Sequence, residues 1–498
     1  MGQAKSGRWV LQAAIFVAIG ASLYYFSWWG FNQRYTSPLL LLIFVVMALY
    51  VSAQAYGVWY IYLRAEYPQS EVPSSTQMPT VDIFLPTYKE PLPLVEKTLR
   101  AVLEIRYPHS TFVIDDGRDP ELKKLAESLG ARYISRDTNR EYKAGNINNA
   151  LRSTTGEIVS IFDIDHIPQP DFLDWVVPYF QDPQIGVVQV ALDHYNQKDS
   201  YVAAAAARMS DEFFSATMLG MDRCGAAVVF GSNSVFRRST LESLGGYRPG
   251  LAEDLNTSLH LHAHGWKSVY VPRILAKGLV PSDLNAFFKQ QFKWARGVFE
   301  VILREAHHLF PRLSPRQRIC YATRMTYYLA GPIIGGHVVA GILAPFVAHS
   351  ARSLGDYLVH AAPLVLTYTA VHIIANRLFT IKPQEEKVDL RGILLVLASW
   401  PIYTLAFVAS LLRINIAYVP TPKGPQQKHS YRIILPQLFA ITLLLTSVTV
   451  HAITSPRGID WLFLTFITSL ILTHAALIPA NLRGVIRRPR RTDFGTTM

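Results

Sequence analysis

Ile158-Val159-Ser160-Ile161-Phe162-Asp163-Ile164-Asp165-His166 decides the fold. Its apolar run is too short for a helix and rich in β-branched side chains, and it stops abruptly at two carboxylates and an imidazole. The same unit recurs upstream. Val81 to Leu85 precedes Thr87 and Glu90, Phe112 to Ile114 precedes Asp115-Asp116-Gly117, and Arg132 to Ile134 makes a further strand. Between these runs, Leu92 to Leu103, Glu121 to Leu129 and Lys143 to Arg152 carry apolar residues at helical spacing. Strand and helix alternating from Pro79 to about Pro281 predict βαβ units and an open, mostly parallel α/β sheet. Ligands of such sheets bind beyond the carboxyl ends of the strands, where the acids of this chain collect.

Alternation along the fourth strand predicts that Asp163 and Asp165 face the same way. Two hard oxygen donors on one side suit Mg²⁺ or Mn²⁺ bridging a diphosphate, although Asp is also common in plain turns. Asp115 and Asp116 can accept hydrogen bonds from a base and ribose, or simply open an Asp-Gly turn. Lys143-Ala144-Gly145-Asn146-Ile147-Asn148 offers a cation and backbone donors near a helix start, fit for phosphate. Ala252-Glu253-Asp254 opens a helical run ending at Gly265. Asp254 there is either a general base or a helix N-cap. Gln290-Gln291-Phe292-Lys293-Trp294-Ala295-Arg296-Gly297 lies in an amphipathic stretch. It reads as the far wall of a sugar site, or as an interfacial helix anchored by its tryptophan.

Of the 498 residues, 50% are hydrophobic and 17% charged, a balance that suits a chain partly in a membrane and partly outside it. Trp9 to Phe31 and Leu39 to Leu63 are long and apolar enough to span. So are Tyr327 to Val347, Tyr357 to Ile374, Ile433 to Ile453 and Trp461 to Pro479. The formal charge of +12 gathers beside these runs and in the tail, which argues for membrane orientation and against nucleic-acid binding. Lys382 and Lys387, then Lys423, Lys428 and Arg432, then Arg483 to Arg491, belong on the cytoplasmic side by the positive-inside rule. Both flanks of Ile393 to Leu412 are then on one side. That run, interrupted by Trp400 and Pro401, is expected to lie along the interface. The expected organisation is two spans in 1–78, a cytoplasmic catalytic domain in 79–280 and an amphipathic region in 281–320. Four spans follow in 321–482, with the interfacial segment at 391–415, and a basic cytoplasmic tail occupies 483–498. Cys224 and Cys320 are too few for a disulfide framework or a zinc site and point to reduced thiols in a cytoplasmic domain.

The ordered set Pro86-Thr87-Tyr88-Lys89-Glu90, Asp115-Asp116-Gly117, Lys143 to Asn146, Asp163-Ile164-Asp165-His166, Glu253-Asp254 and Gln290 to Trp294 resembles the family 2 processive glycosyltransferases of the cellulose synthase type. The resemblance runs from Pro79 to the last span. It implies a GT-A α/β domain inserted in an α-helical transmembrane bundle, and inverting transfer from a UDP-sugar with Mg²⁺ or Mn²⁺. By that pattern Thr87, Glu90 and Asp116 bind the uridine part, and Lys143, Asp163 and Lys293 face the diphosphate. Asp163, Asp165 and His166 hold the metal, Asp254 is the base, and Glu253, Gln290 and Trp294 meet the acceptor. Tyr418-Val419-Pro420-Thr421-Pro422-Lys423 resembles the family's gating loop (418–424), with Tyr418, Thr421 and Lys423 as its working residues.

Three departures qualify the likeness. Lys293 stands where the motif has arginine and cannot make bidentate guanidinium contacts. Phe230, in Val229-Phe230-Gly231-Ser232-Asn233, replaces a cysteine near the acceptor and leaves the linkage open. The short tail after the last apolar run leads to the expectation that this chain carries no cyclic-di-GMP-binding (PilZ) barrel. The resemblance implies a β-glucan synthase using UDP-glucose, with 1,4, 1,3 (curdlan-like) or mixed linkage, that exports its chain across the bilayer, with or without an export partner beyond. The alternatives are an amino-sugar polymer synthase of the chitin, hyaluronan or poly-N-acetylglucosamine type, a non-processive transferase acting on a lipid carrier, and a transporter or receptor that only senses a nucleotide-sugar.

Overall fold

The computed structural model describes residues 2–32, 37–68, 78–347, 354–382, 391–414, 431–454 and 461–475. The expected gating loop, with Tyr418, Thr421 and Lys423, and the basic tail lie outside the described residues. Helices α1 (Gly2–Asn32) and α2 (Pro38–Arg64) come first. An eight-stranded sheet follows: β1 (Val81–Thr87), β2 (Ser110–Asp115), β3 (Arg132–Ser135), β4 (Ile158–Ile161), β5 (Ile167–Pro168), β6 (Ile185–His194), β7 (Ser234–Arg237) and β8 (Lys267–Gly278). Its order is β3-β2-β1-β4-β7-β6-β8-β5. The first four strands run parallel, as do β6 and β8, whereas β7 is antiparallel to both β4 and β6, and β5 is antiparallel to β8. The sheet is therefore more mixed than the sequence pattern implies.

Both faces are covered, which is why β1 reads as an almost unbroken apolar run. Ile83, Leu85 and Val113 pack on Val95 and Leu99 of α3 (Leu92–Leu103) and Leu122 and Ala126 of α4 (Pro120–Ser128). Their neighbours Phe84 and Ile114 pack on Ala144, Ile147 and Ala150 of α5 (Tyr142–Ser153). The remaining helices of the domain are α6 (Phe172–Val176), α7 (Tyr201–Glu212), α8 (Met218–Arg223), α9 (Arg238–Ser243) and α10 (Glu253–Ala263).

Beyond the sheet come α11 (Leu284–Val301), α12 (His307–Leu309), α13 (Pro315–Met325), α14 (Ala330–Val347) and α15 (Leu354–Leu378). The last group is α16 (Arg391–Ala398), α17 (Trp400–Leu411), α18 (Leu435–Thr454) and α19 (Trp461–Ala475). Among the described residues, five helical stretches are long and apolar enough to cross a membrane: Gly7–Trp29, Pro38–Arg64, Pro315–Leu343, Leu358–Leu378 and Arg432–Thr454. The third starts at Pro315 rather than Tyr327, because α13 runs into α14 through a single 3₁₀ turn, Thr326–Leu329. The α16–α17 pair breaks at Ser399, just before Trp400-Pro401, and bends by 42°. In α19 only Phe463–Leu472 is an apolar stretch, shorter than a full span among the described residues.

Candidate active site

One corner of the sheet gathers the chemistry. β4 stops at Ile161, so Asp163 and Asp165 sit on the turn after the strand and not on the strand itself. Strand alternation is therefore not what aligns them. A tight turn does so, closed by the His166 amide donating to the Asp163 carbonyl at 2.9 Å. The carboxylates and the imidazole of Asp163, Asp165 and His166 come within 4.8 Å of one another, a spacing that one divalent cation can bridge. His166 Nδ1 lies 2.6 Å from Ser232 Oγ and 3.1 Å from Asn233 Oδ1. Because Asn233 Oδ1 can only accept, the proton belongs on Nδ1, and Nε2 keeps its lone pair for a metal. The donor set thus fits Mg²⁺ or Mn²⁺.

The loop Phe230-Gly231-Ser232-Asn233 ties this corner together. Gln189 of β6 accepts from the Phe230 amide (3.1 Å) and donates to the Ser232 and Asn233 carbonyls (both 3.1 Å). Ser232 Oγ accepts from the Asp163 amide at 2.9 Å. The ammonium of Lys143, at the first turn of α5, donates to the Gly231 carbonyl (2.6 Å) and pairs with Asp163 (2.5 Å). Gly231 has φ +72°, and a Cβ there would lie 3.3 Å from Lys143 Nζ and 3.6 Å from both Asp254 Oδ2 and Glu253 Oε1. Only glycine combines that backbone with that approach. The cation, the metal acids and the candidate base therefore surround one small loop.

Asp254 is not a helix cap. α10 starts at Glu253 without any side-chain cap bond, and the Asp254 carboxylate accepts from the adjacent Leu255 amide at 2.7 Å. Burial, reinforced by the neighbouring Glu253 charge, pushes Asp254 up to about 7, while Lys143 and Lys293 pull the other way. A carboxyl group poised there can accept a proton near neutral pH. Lys293 reaches this corner from α11, which closes on the start of α10 at Gly297, where a Cβ would meet the Ala252 amide nitrogen at 2.6 Å. On the same helix Trp294 is 42% exposed and Gln290 half-buried, open to a ligand, whereas Gln291 is buried and accepts from Tyr403 at 2.9 Å.

The opposite end of the corner is built from β1 and β2. Thr87 lies within β1, buried, donating to Asp115 at 3.1 Å; Glu90 accepts from the Tyr88 amide at 2.5 Å. Asp115 is a structural acid that also holds the Gly117 and Asp119 amides (2.6 and 2.8 Å) and the Tyr133 hydroxyl (2.9 Å). Asp116 makes a two-pronged pair with Arg136 at 2.6 and 2.7 Å. Arg136 in turn donates to the Arg140 and Tyr142 carbonyls at the mouth of α5. It therefore joins the acid pocket to the helix that carries Lys143. Arg136, Gln189, Ser232 and Asn233 have no counterpart among the candidate residues read from the sequence. Only the polar triplet Gly-Ser-Asn inside an apolar run marked its place there.

Residues 79–297 match the family model described as "Glycosyltransferase like family 2". That stretch is similar to family 2 glycosyltransferases, and the curated relatives it matches are cellulose synthases. The chain is 37% identical over 271 residues to cellulose synthase 1 of Komagataeibacter xylinus, covering 52% of this chain and 17% of the relative. It is 31% identical over 345 residues to a UDP-forming cellulose synthase catalytic subunit of Pseudomonas fluorescens, covering 65% of this chain and 46% of the relative. The chain thus spans less than half the length of these relatives. Among solved structures, a mannosyltransferase from Pyrobaculum calidifontis in complex with GDP-Man and Mn²⁺ superposes with a TM-score of 0.54 at 22% identity. That match covers 76% of this chain and all of the other, and it shows the GT-A fold.

Proposed function

We propose that the chain is a processive, inverting membrane glycosyltransferase that moves glucose from UDP-glucose onto a growing β-glucan and passes the polymer through its own helices. The observation that carries this reading is the convergence of Lys143, Asp163 and Asp254 around Gly231, with Lys293 near enough for its charge to act on Asp254. Asp254 takes the proton from the acceptor hydroxyl as that oxygen attacks the anomeric carbon, and the departing UDP leaves from the opposite face. Lys143 and Lys293 stabilise the diphosphate charge, and Asp163, Asp165 and His166 would hold the cation. A bound Mg²⁺ or Mn²⁺ there supplies Lewis-acid stabilisation of the leaving group.

Thr87, Glu90 and Asp116, the last steered by Arg136, line the uridine end, and Glu253, Gln290 and Trp294 the acceptor end. The apolar helices support a multi-pass protein of the inner membrane, with 79–280 and both termini in the cytoplasm. The loop at 418–424 would close over the nucleotide.

Purified full-length protein with UDP-glucose and Mg²⁺ or Mn²⁺ tests the reading. The expected product is a polymer cut by a linkage-specific β-glucanase, with synthesis abolished by a chelator. Polymer only from UDP-N-acetylglucosamine would move the chain to the amino-sugar synthases, and a single-sugar lipid product would remove processivity.

A further inference from the structure

The end of membrane helix α15 reaches into the catalytic domain through one side chain. Lys382, four residues beyond Leu378, is buried with its ammonium 2.5 Å from Asp193 Oδ1 and 2.6 Å from Asp211 Oδ1. Both carboxylates are buried as well. Asp193 is the penultimate residue of strand β6, and Asp211 belongs to α7. Lys277 adds a second cation 3.3 Å from Asp193, and Arg208 lies 3.6 Å from Asp211. Nearby, Tyr67 after α2 donates to the Thr380 carbonyl at 2.7 Å, so the segment is fastened on two sides.

Asp193 does not touch the metal acids, but the sheet carries its position to them. Asp193 pairs with Lys277 of β8, and Lys277 pairs with Ile167 of β5, the residue that follows His166. One residue on, His194 pairs with Gly278, whose missing side chain leaves the space filled by the His166 ring. A single rung across three strands therefore runs from the Lys382 ion pairs to the backbone of His166. β5 is only two residues long and sits at the sheet edge, so it contributes little rigidity of its own.

We propose that Lys382 is a positioning residue that fixes the β6–β8–β5 rung, and through it His166, and so sets the divalent-cation affinity of the site from the end of a membrane helix. This rests on the metal reading of Asp163, Asp165 and His166 given above. Without the ammonium, two buried carboxylates repel across the joint, and the end of β6 moves to relieve them. Groups that touch a metal ligand directly set the affinity by roughly ten- to a hundred-fold, and Lys382 acts on His166 from further out, so the low end of that range is its upper limit.

Mn²⁺ titration of the full-length protein followed by electron paramagnetic resonance, with no sugar donor present, tests this directly. Lys382→Met is expected to weaken Mn²⁺ binding about ten-fold, and Lys382→Arg, which keeps the charge, to recover it to within about three-fold. In steady-state assays at saturating cation, kcat of Lys382→Met should return close to the parent value, with the deficit confined to the cation dependence. Should Lys382→Met fail to fold, Lys382→Gln, which keeps a hydrogen-bond donor between the two carboxylates but no charge, is expected to fold with the same weakened binding. Parent-like Mn²⁺ binding in whichever of these neutral variants folds overturns the proposal, as does an arginine variant as impaired as the neutral one. An Asp165→Asn protein separates the two layers. If it binds Mn²⁺ as the parent does, the metal reading and this proposal fall together. If it loses Mn²⁺ while Lys382→Met keeps it, the positioning role alone falls.

Discussion

At the scale of the residue, the proposed chemistry rests on a carboxyl group whose surroundings oppose its ionisation. Burial first, and the Glu253 charge second, raise Asp254 to about 7. Only its ionised form can take the acceptor proton, so kcat/KM is expected to fall about ten-fold per pH unit below that value and to level off above it. Replacing Glu253 by glutamine removes one of the raising causes and should move this acid limb to lower pH, measured on the same polymer assay. Asp254→Asn should lose on the order of a thousand-fold in kcat while keeping Mn²⁺ binding, because the group that could hold the ion is Asp163, Asp165 and His166. A drop of less than ten-fold would take the role of base away from it. The sequence alone made this acid, and Lys143, Asp163, Asp165 and His166, recognisable as an ordered set. Arg136, Gln189 and Ser232 stayed hidden because their partners lie 20, 41 to 44 and 66 to 69 positions away, and nothing in their local chemistry announces such contacts.

At the scale of the element, α11 shows how a glycine places two functional side chains. Gly297 lets α11 lie against the Leu251–Ala252 backbone, and the helix then holds Lys293 and Trp294 beside α10. Gly297→Ala is expected to push the helices apart by a fraction of an ångström to an ångström. That shift should lower kcat by about a hundred-fold and the folding stability by about 1–3 kcal/mol. Retained turnover with an unchanged melting temperature would mean that this contact does not set the geometry. The helices that the apolar spacing outlined, α3 to α5, have nearly their expected bounds, and β1 to β4 are where the hydrophobic runs put them. The later strands were not legible. β5 has two residues, and β6 and β8 are long strands whose pairing with β7 and β5 is decided by contacts far away in sequence. The aspartate pair was found for the right composition but by the wrong geometry, since a hydrogen-bonded turn replaces the expected end of strand.

At the scale of the whole molecule, the helices meet the catalytic domain at their ends. Glu66, just past α2, pairs with Arg223 of the domain at 3.2 Å and lies 3.8 Å from Arg8 near the start of α1. Gln317 at the start of α13 donates to the Gly225 carbonyl at 2.7 Å, and Lys382 after α15 enters the domain as described. Trp400 of α17 donates to His474 near the end of α19 at 2.7 Å. These contacts put the start of α1 and the ends of α2 and α15 on the catalytic side, which calls for hairpins across the bilayer. Single cysteines introduced at Pro68, just past α2, and at Gly355, at the start of α15, should accordingly react with a membrane-impermeant maleimide from opposite faces, Pro68 only from the catalytic side. Labelling of both from one face would dismantle this topology. Cys224 and Cys320 are both buried and should stay silent in the parent chain. Glu66, Gln317 and Lys382 fasten the sheet domain at three helix ends. On the proposed function, any thrust on the product then comes from small local strokes near the reaction centre, with the head serving as a stationary die from which the thread is extruded.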